Sequence, residues 1–477
     1  MFRRFGALLR RTRPSLVILI ALAPLAFVSP AQAWQQGRGT SAITWSRTYV
    51  PIIGGPVSIQ LTSDGGFVAA SRSANAWVMK ASFSGEPEWE KEYTPTGYTN
   101  TQAESVQQTR DQGYIVAGYA LSLGYVTSFD AWLLKLDHKG NVEWSRTYGG
   151  RAGDAFGSVQ QTRDGGYVAA GTTESFGPNV QISGETAWVM KVDSKGSVVW
   201  EKDFGADQAQ SVRQTNDDGF IVVGTAAVGN QPNADAWVFK LDSNGDVVWQ
   251  KTFEITTNNR GYSVQQTRDG GYVIVAEILN GFLSSETLII RLDSHGNILW
   301  QKLYDGGGFT QPSSVVETSD GGFILAGRFL QDHLGHGANG PWLLKLDSIG
   351  NIVWQKTYGG INDFFFQVQE TRSRGLIVAG ALATYCCGYQ AWVLKTDSSG
   401  NIGGCQNAFP SNATVTDGSV VATNATVMNL NTNALSVDTA VTVQTLSSTL
   451  HTLCFGTVDE KVREGSSRRK NRTTKRF

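Results

Sequence analysis

Two cysteines stand side by side, Cys386 and Cys387 in the run YCCGY, and Asp332, His333 and His336 share one nearby stretch. Vicinal thiols can close on each other or stay reduced. The acid and the two imidazoles are zinc or calcium donor types, but their i, i+1, i+4 spacing lies in an irregular stretch that gives no fixed ligating face, so no metal is assigned. A second set recurs with the chain: Gln107, Gln160, Gln265 and Gln369, with Arg213 and Val316 breaking the series. A ring of amides can bind a polar ligand or a cation, or bridge neighbouring strands and hold water. Arg110, Arg163, Arg268 and Arg372 also recur, able to attract anions at one mouth of a channel or to pair with the adjacent Asp111, Asp164 and Asp269. A third set does not recur. Phe364, Phe365, Phe366, Tyr385 and Tyr389 offer flat apolar faces to a glycan or protein, or pack between sheets. There is no G-x-S-x-G, no P-loop and no H-E-x-x-H. No catalytic residue and no cofactor is assigned.

The elements that must position these groups come from a repeat. Seven copies of one unit of roughly fifty residues begin at Ser58, Ser105, Ser158, Ser211, Ser263, Ser314 and Gln367. Each reads SVQQT, DGGYVAAG, AWLLKLD, a DSNGN-type turn and VVWQKTY. In unit two the strand-like runs are 105–109, 113–118, 131–137 and 142–148, separated by turn signals and free of helical period. The DGG and DSNGN turns suit tight hairpins that need positive φ. Each unit is therefore predicted to be a four-stranded antiparallel meander. In AWLLKLD, Trp132, Leu134 and Leu136 share one side and Ala131 and Leu133 the other, so both faces must be covered. Radial packing of blades does this. If Leu136 lies beside Val142, Trp132 falls beside Arg146 and Trp237 beside Lys251, a cation–π arrangement.

The ends predict closure. Unit seven runs through AWVLKTD and then loses its fourth strand, while a stray copy, TWSRTY (44–49), precedes unit one. The N-terminal strand should complete the last blade, giving an all-β, seven-bladed propeller over 34–404. Residues 1–33 carry a basic start, an apolar run and an A-x-A site, and are expected to be a signal peptide. Export makes disulfides plausible chemistry, with Cys405–Cys454 favoured and Cys386 and Cys387 either paired or reduced. Residues 405–456, rich in Asn, Thr and Val, are expected to form a small C-terminal β-rich module closed by that disulfide. Residues 457–477 read as a basic disordered tail.

The unit is similar to secreted bacterial and archaeal propeller repeat proteins carrying SVQQTxDGGYIVAG…DxWLLKLDxxGNVxWQKTYGG. Its LDSxGNxxW pattern distantly resembles the tryptophan-docking pattern of quinoprotein (PQQ-type) propellers. That second resemblance implies a dehydrogenase, some of which use a vicinal cysteine ring beside the cofactor, but no accompanying metal-ligand set can be identified here. The net charge of −1 argues against a nucleic-acid-binding body, and no later stretch is apolar enough to span a bilayer. The tight turns share one face of the propeller. The variable connections, such as Thr172 to Thr186 and Arg328 to Pro341, share the other, and function is expected there. The leading expectation is a secreted or surface-exposed, monomeric, non-catalytic propeller that binds a protein or glycan partner through that face. A quinoprotein-like or other propeller enzyme and a purely structural surface protein are the alternatives.

Overall fold

In the computed structural model the described residues are 42–50, the body from 56 to 403 apart from several connecting stretches, and the strands between Ala408 and Val458. All lie in the compact unit Ser41–Phe477. The stretches 1–41, 51–55, 123–127, 177–183, 206–207, 228–233, 255–257, 282–283, 306–307, 331–338, 385–387, 404–407 and 459–477, with the links between the C-terminal strands, fall outside the description. Tyr385, Cys386, Cys387, Cys405 and the Asp332–His336 group are therefore outside it, as is the expected signal peptide. Cys454 is described only in its backbone.

Every regular element among the described residues is a strand. Unit two shows why. Tyr98–Gln108, Tyr114–Ser122, Phe129–Leu136 and Val142–Gly149 pair antiparallel in chain order. The first turn closes with the Thr109 N–H donating to the Gly113 carbonyl. Its left-handed position is Gln112 (φ 68°), where units one, three, five and six place glycine. The following glycine has a different cause: a Cβ on Gly113 would sit 2.2 Å from the Leu136 carbonyl oxygen. In the second turn the Asp137 carboxylate accepts the N–H groups of Lys139 and Asn141 at 2.8 Å, an aspartate turn that closes the hairpin locally.

Both sheet faces are buried as the alternation predicts: Ala131, Trp132, Leu133, Leu134 and Leu136 are all 0% exposed. The cores lie between units rather than within them. One cluster joins Val68 and Val78 of unit one to Val116 and Leu134 of unit two. The next joins Ile115 and Leu133 of unit two to Ala169 and Met190 of unit three. The series continues to a cluster of Phe67 and Trp77 with Ile377, Ala379 and Val393 of unit seven. Four-stranded antiparallel sheets packed face to face in this way have the arrangement of a β-propeller.

The recurring W-x-K-x-Y of the fourth strand is a clamp on the next unit's turn. Trp89 donates to the His138 carbonyl (3.2 Å), Tyr93 to the Gly140 carbonyl (2.7 Å), and Lys91 to three acceptors in the same turn. The expected cation–π register is not the one formed. Leu136 does pair with Val142, but a β-bulge at Lys135/Leu136 shifts the rest by one, so Trp132 faces Thr147 and Trp237 faces Thr252.

Unit seven takes its fourth strand from the N-terminus, as predicted: Ala42–Val50 pairs antiparallel with Gly388–Thr396, Trp45 opposite Lys395. The C-terminal stretch differs from the expected separate module. Its strands pair with the outer strands of the body and not with each other. In chain order they join Ile352–Tyr358, Ile298–Asp305, Val247–Glu254, Val198–Asp203, Val142–Gly149, Pro87–Pro95 and finally Ala42–Val50. The segment retraces the units in reverse and gives each sheet a fifth strand. The physical reason is that every outer strand leaves a row of unpaired backbone groups, and an extended Thr/Val/Asn-rich chain can satisfy them. The last of these strands, Thr449–Val458, runs two residues into the stretch read as tail.

Candidate functional site

The inner strands of the seven units line a cavity of about 500 Å³ on the side of the tight turns. A second cavity, about 290 Å³, opens toward the variable connections. Ser58, Ser105, Arg213, Ser263, Ser314 and Gln367 line both, so the two meet at that level of the channel.

Gln107, Gln160 and Gln265 do line the larger cavity. Their amides bridge units. Gln107 Oε1 accepts the Gln161 N–H (2.5 Å), Gln160 Oε1 the Gln214 N–H (2.6 Å) and Gln265 Oε1 the Glu317 N–H (2.8 Å). Gln60 serves Gln108 and Gln369 serves Leu61 (2.8 Å) in the same way. A return set runs the other way: Ser63, Arg110, Arg163 and Asn216 donate their N–H groups to Gln108, Gln161, Gln214 and Gln266. Each bridging oxygen is engaged by a backbone N–H, so these amides hold neighbouring units together, with the NH₂ groups as further donors.

The recurring arginines do not pair with their neighbouring aspartates. Arg110 donates to the Thr162 and Arg163 carbonyls, Arg163 to the Thr215 carbonyl and Asp218, Arg268 to the Thr318 carbonyl and Arg372 to the Ser63 carbonyl. Each reaches the next turn because strand twist carries it across the narrow inner gap. The aspartates bind the buried cation of the third strand instead: Asp64–Lys80 (2.9 Å), Asp111–Lys135 (3.0 Å), Asp164–Lys191 (2.7 Å), Asp217–Lys240 (3.0 Å), Asp320–Lys345 (2.9 Å) and Asp269–Arg291. Burial by itself would raise the Asp164 carboxyl. The Lys191, Thr162 and Gly166 hydrogen bonds outweigh it and hold the pKa at about 2.

The aromatic candidates divide. Phe365 is 1% exposed and packs against Tyr358 and Trp392, so it belongs to the core and not to a binding face. The inner-strand alternation sends its neighbours the other way. Phe364 and Phe366 line the 290 Å³ cavity, stacked with ring centroids 6.1 Å apart, and Tyr389 meets Phe364 edge-on at 5.7 Å. Tyr389 is exposed, at 38%.

Sequence reasoning did not single out the charged groups beside this shelf. The Arg328 guanidinium lies 4.4 Å over the Phe364 ring and donates to the Ile361 carbonyl at 2.6 Å. Burial lowers its pKa, with Tyr389 and Asp363 opposing. Arg72 pairs with Glu104 at 2.7 Å. Burial works against that guanidinium, but the Glu104 carboxylate outweighs it and its pKa is raised. Arg213 stands where five other units carry glutamine and faces the channel. The only signal for it in sequence is that break. Among the described residues no group of three or more His, Cys, Asp or Glu side chains could hold a metal. The arrangement brings hydrogen-bond donors, an aromatic shelf and cations around one cavity.

No family model matches the chain, and no curated protein matches it. Solved structures do. The chain is similar to the WD40 β-propeller domain of Doa1 at 13% identity, covering 74% of this chain and 96% of that one, with a TM-score of 0.47. It is similar to a protein of unknown function from Dyadobacter fermentans at 11% identity, covering 75% and 99%, TM-score 0.43. A protein of unknown function from Bacteroides caccae aligns at 13% identity over 65% and 93%, TM-score 0.35.

Proposed function

We propose that this chain is an exported, closed seven-bladed β-propeller that works without catalysis, binding a glycan or protein partner at the mouth formed by its variable connections. The observation that carries the reading is the shelf of Phe364, Phe366 and Tyr389, with Arg328 stacked on it, at a cavity of about 290 Å³. Buried aromatics need no further explanation, but this group is only partly buried and sits beside polar donors. That combination of flat apolar faces and hydrogen-bonding groups suits sugar rings and peptide side chains. The seam between units one and seven supports a closed ring: the Ile59 N–H donates to Gln367 Oε1 at 2.7 Å, and the Leu61 N–H to Gln369. Among the described residues no helix is long and apolar enough to cross a membrane.

The test is a glycan array and a pull-down with envelope proteins, using the wild type and the double variant Phe364→Ala/Tyr389→Ala. We expect the double variant to lose its partner at least tenfold, with a melting temperature within a few degrees of wild type. Binding that survives the double variant would move the site elsewhere. Dye-linked dehydrogenase activity after reconstitution with calcium and PQQ would replace the reading with an enzymatic one.

A further inference from the structure

We propose that the central channel is a carboxylate-binding site centred on Arg213. The position is singular in the repeat. Five units place a glutamine there, and its carbonyl oxygen receives the next unit's N–H; unit six places Val316 and unit four places Arg213. Arg213 therefore gives up a structural bridge that its equivalents keep. Its Nη1 donates to the Val212 carbonyl at 2.8 Å and to Ser158 Oγ at 3.3 Å. Neither partner is charged, and among the described residues no ion pair holds it. It is partly exposed and lines both cavities. Burial acts on its pKa, downward, and among the described residues no acid opposes it. A partly buried guanidinium with no counter-charge among the described residues is stabilised by a ligand that supplies one.

The surroundings select the ligand's chemistry. The five bridging glutamines line the same cavity with their oxygens already engaged by backbone N–H groups, and their NH₂ groups are donors. Glu317 and Glu370, farther along, already accept N–H groups from Arg268 (2.9 Å) and Ser319 (2.6 Å). One unpaired positive charge matches one negative charge, and the planar guanidinium matches a planar two-oxygen acceptor. A dianion such as phosphate would bring an uncompensated charge into the same space. Together the cavities are large enough for a ring of monosaccharide size. The carboxylate can come from a free organic acid or from the acidic end of a glycan chain lying on the aromatic shelf.

The experiment is calorimetric titration of the full-length protein with glucuronate, with glucose as its neutral match, with inorganic phosphate, and with an oligouronide. Arg213→Gln installs the residue used by five other units, so the fold should be kept, and the melting temperature without ligand should stay equal or rise. We expect wild type to bind glucuronate at least tenfold more tightly than glucose or phosphate, and Arg213→Gln to lose that preference. Arg213→Lys, which keeps the charge but not the fork, should retain part of it. If the oligouronide binds more tightly than glucuronate and Phe364→Ala weakens only the oligouronide, the source is a glycan. Equal affinities, indifferent to Phe364→Ala, mark a free acid. Glucuronate binding no tighter than glucose, an equal affinity for phosphate, or an undiminished preference in Arg213→Gln would overturn the assignment. Partner binding that survives in the shelf variant, with glucuronate binding intact in wild type, would sink only the docking reading.

Discussion

Unit seven and unit two carry nearly the same sequence signals, yet they are held together differently. Unit two is one continuous stretch from Tyr98 to Gly149, edged by Leu435–Asp438. Unit seven is assembled from three distant segments, Phe364–Thr396, Ala42–Val50 and Thr449–Val458. Its fourth-strand tryptophan, Trp45, is 0% exposed, whereas the corresponding Trp144 is only partly buried. Its third-strand lysine also lacks the usual partner. The turn that reads Asp-x-Gly in unit two reads Ser373-Arg374-Gly375 here, so Lys395 has no aspartate and instead packs on the Phe83 ring. Where the unit is assembled from distant segments, the repeat is relaxed. The aromatic shelf, with Phe364, Phe366 and Tyr389, lies in the same unit, so departures from the repeat are concentrated in one place.

The largest effect that tests this contrast is deletion of 42–50. It removes a central strand of the five-stranded sheet and should abolish cooperative unfolding by circular dichroism, because two sheet edges are then left unpaired. Next, Trp45→Ala should cost about 3–5 kcal/mol in urea unfolding, while Trp144→Ala, at a partly exposed position, should cost about 1–3 kcal/mol. Equal costs would show that the two units are equivalent after all. Third, Ser373→Asp should give Lys395 the pair its counterparts have and raise the melting temperature at pH 7 by a few degrees. The sign follows from linkage. Burial lowers the folded-state pKa of Lys395 to about 7, against 10.5 for the free side chain. Between those values the unfolded chain binds a proton that the folded chain does not, so this group's contribution to stability rises with pH through that window. Ser373→Asp should flatten the rise, and an unchanged pH profile would reject the orphan-lysine account. Asp164 and Asp320 give a slope of the same sign in a lower window: with folded-state pKa values of about 2, their stabilising contribution is present above about pH 4 and lost as pH falls through 2. The smallest effect is Arg374→Gly. Arg374 holds φ at 64°, and glycine there should stabilise by about 1 kcal/mol, as should Gln112→Gly in unit two.

Much of this was legible in the chain. The alternation in AWLLKLD put both faces inside, the DGG turns gave positive φ, and the displaced TWSRTY located the seam. The bridging role of Gln107, Gln160 and Gln265 was one of two readings open to amides in a repeat. Three things were not legible. The bulge at Lys135/Leu136 moves every later pair by one, and a single irregular residue has no composition signal. Asp111 has Arg110 beside it in sequence yet pairs with Lys135, because hairpin pairing brings residues far apart in the chain side by side. Phe364 and Phe366 reach the cavity while Phe365 enters the core, which needs the strand's orientation and not only its aromatic content.

The sequence by itself determined the repeating unit, its hairpins and its burial, because these rest on local periodicity and turn stereochemistry. Tertiary structure alone decided the path of the C-terminal segment, since backbone pairing along an outer edge is nearly indifferent to side chains and leaves no pattern to read. It also decided the standing of Arg213. In the sequence it is one break in a row of glutamines; in the structure it is a cation without a counter-charge among the described residues, and only the arrangement of neighbouring units determines which charges come near.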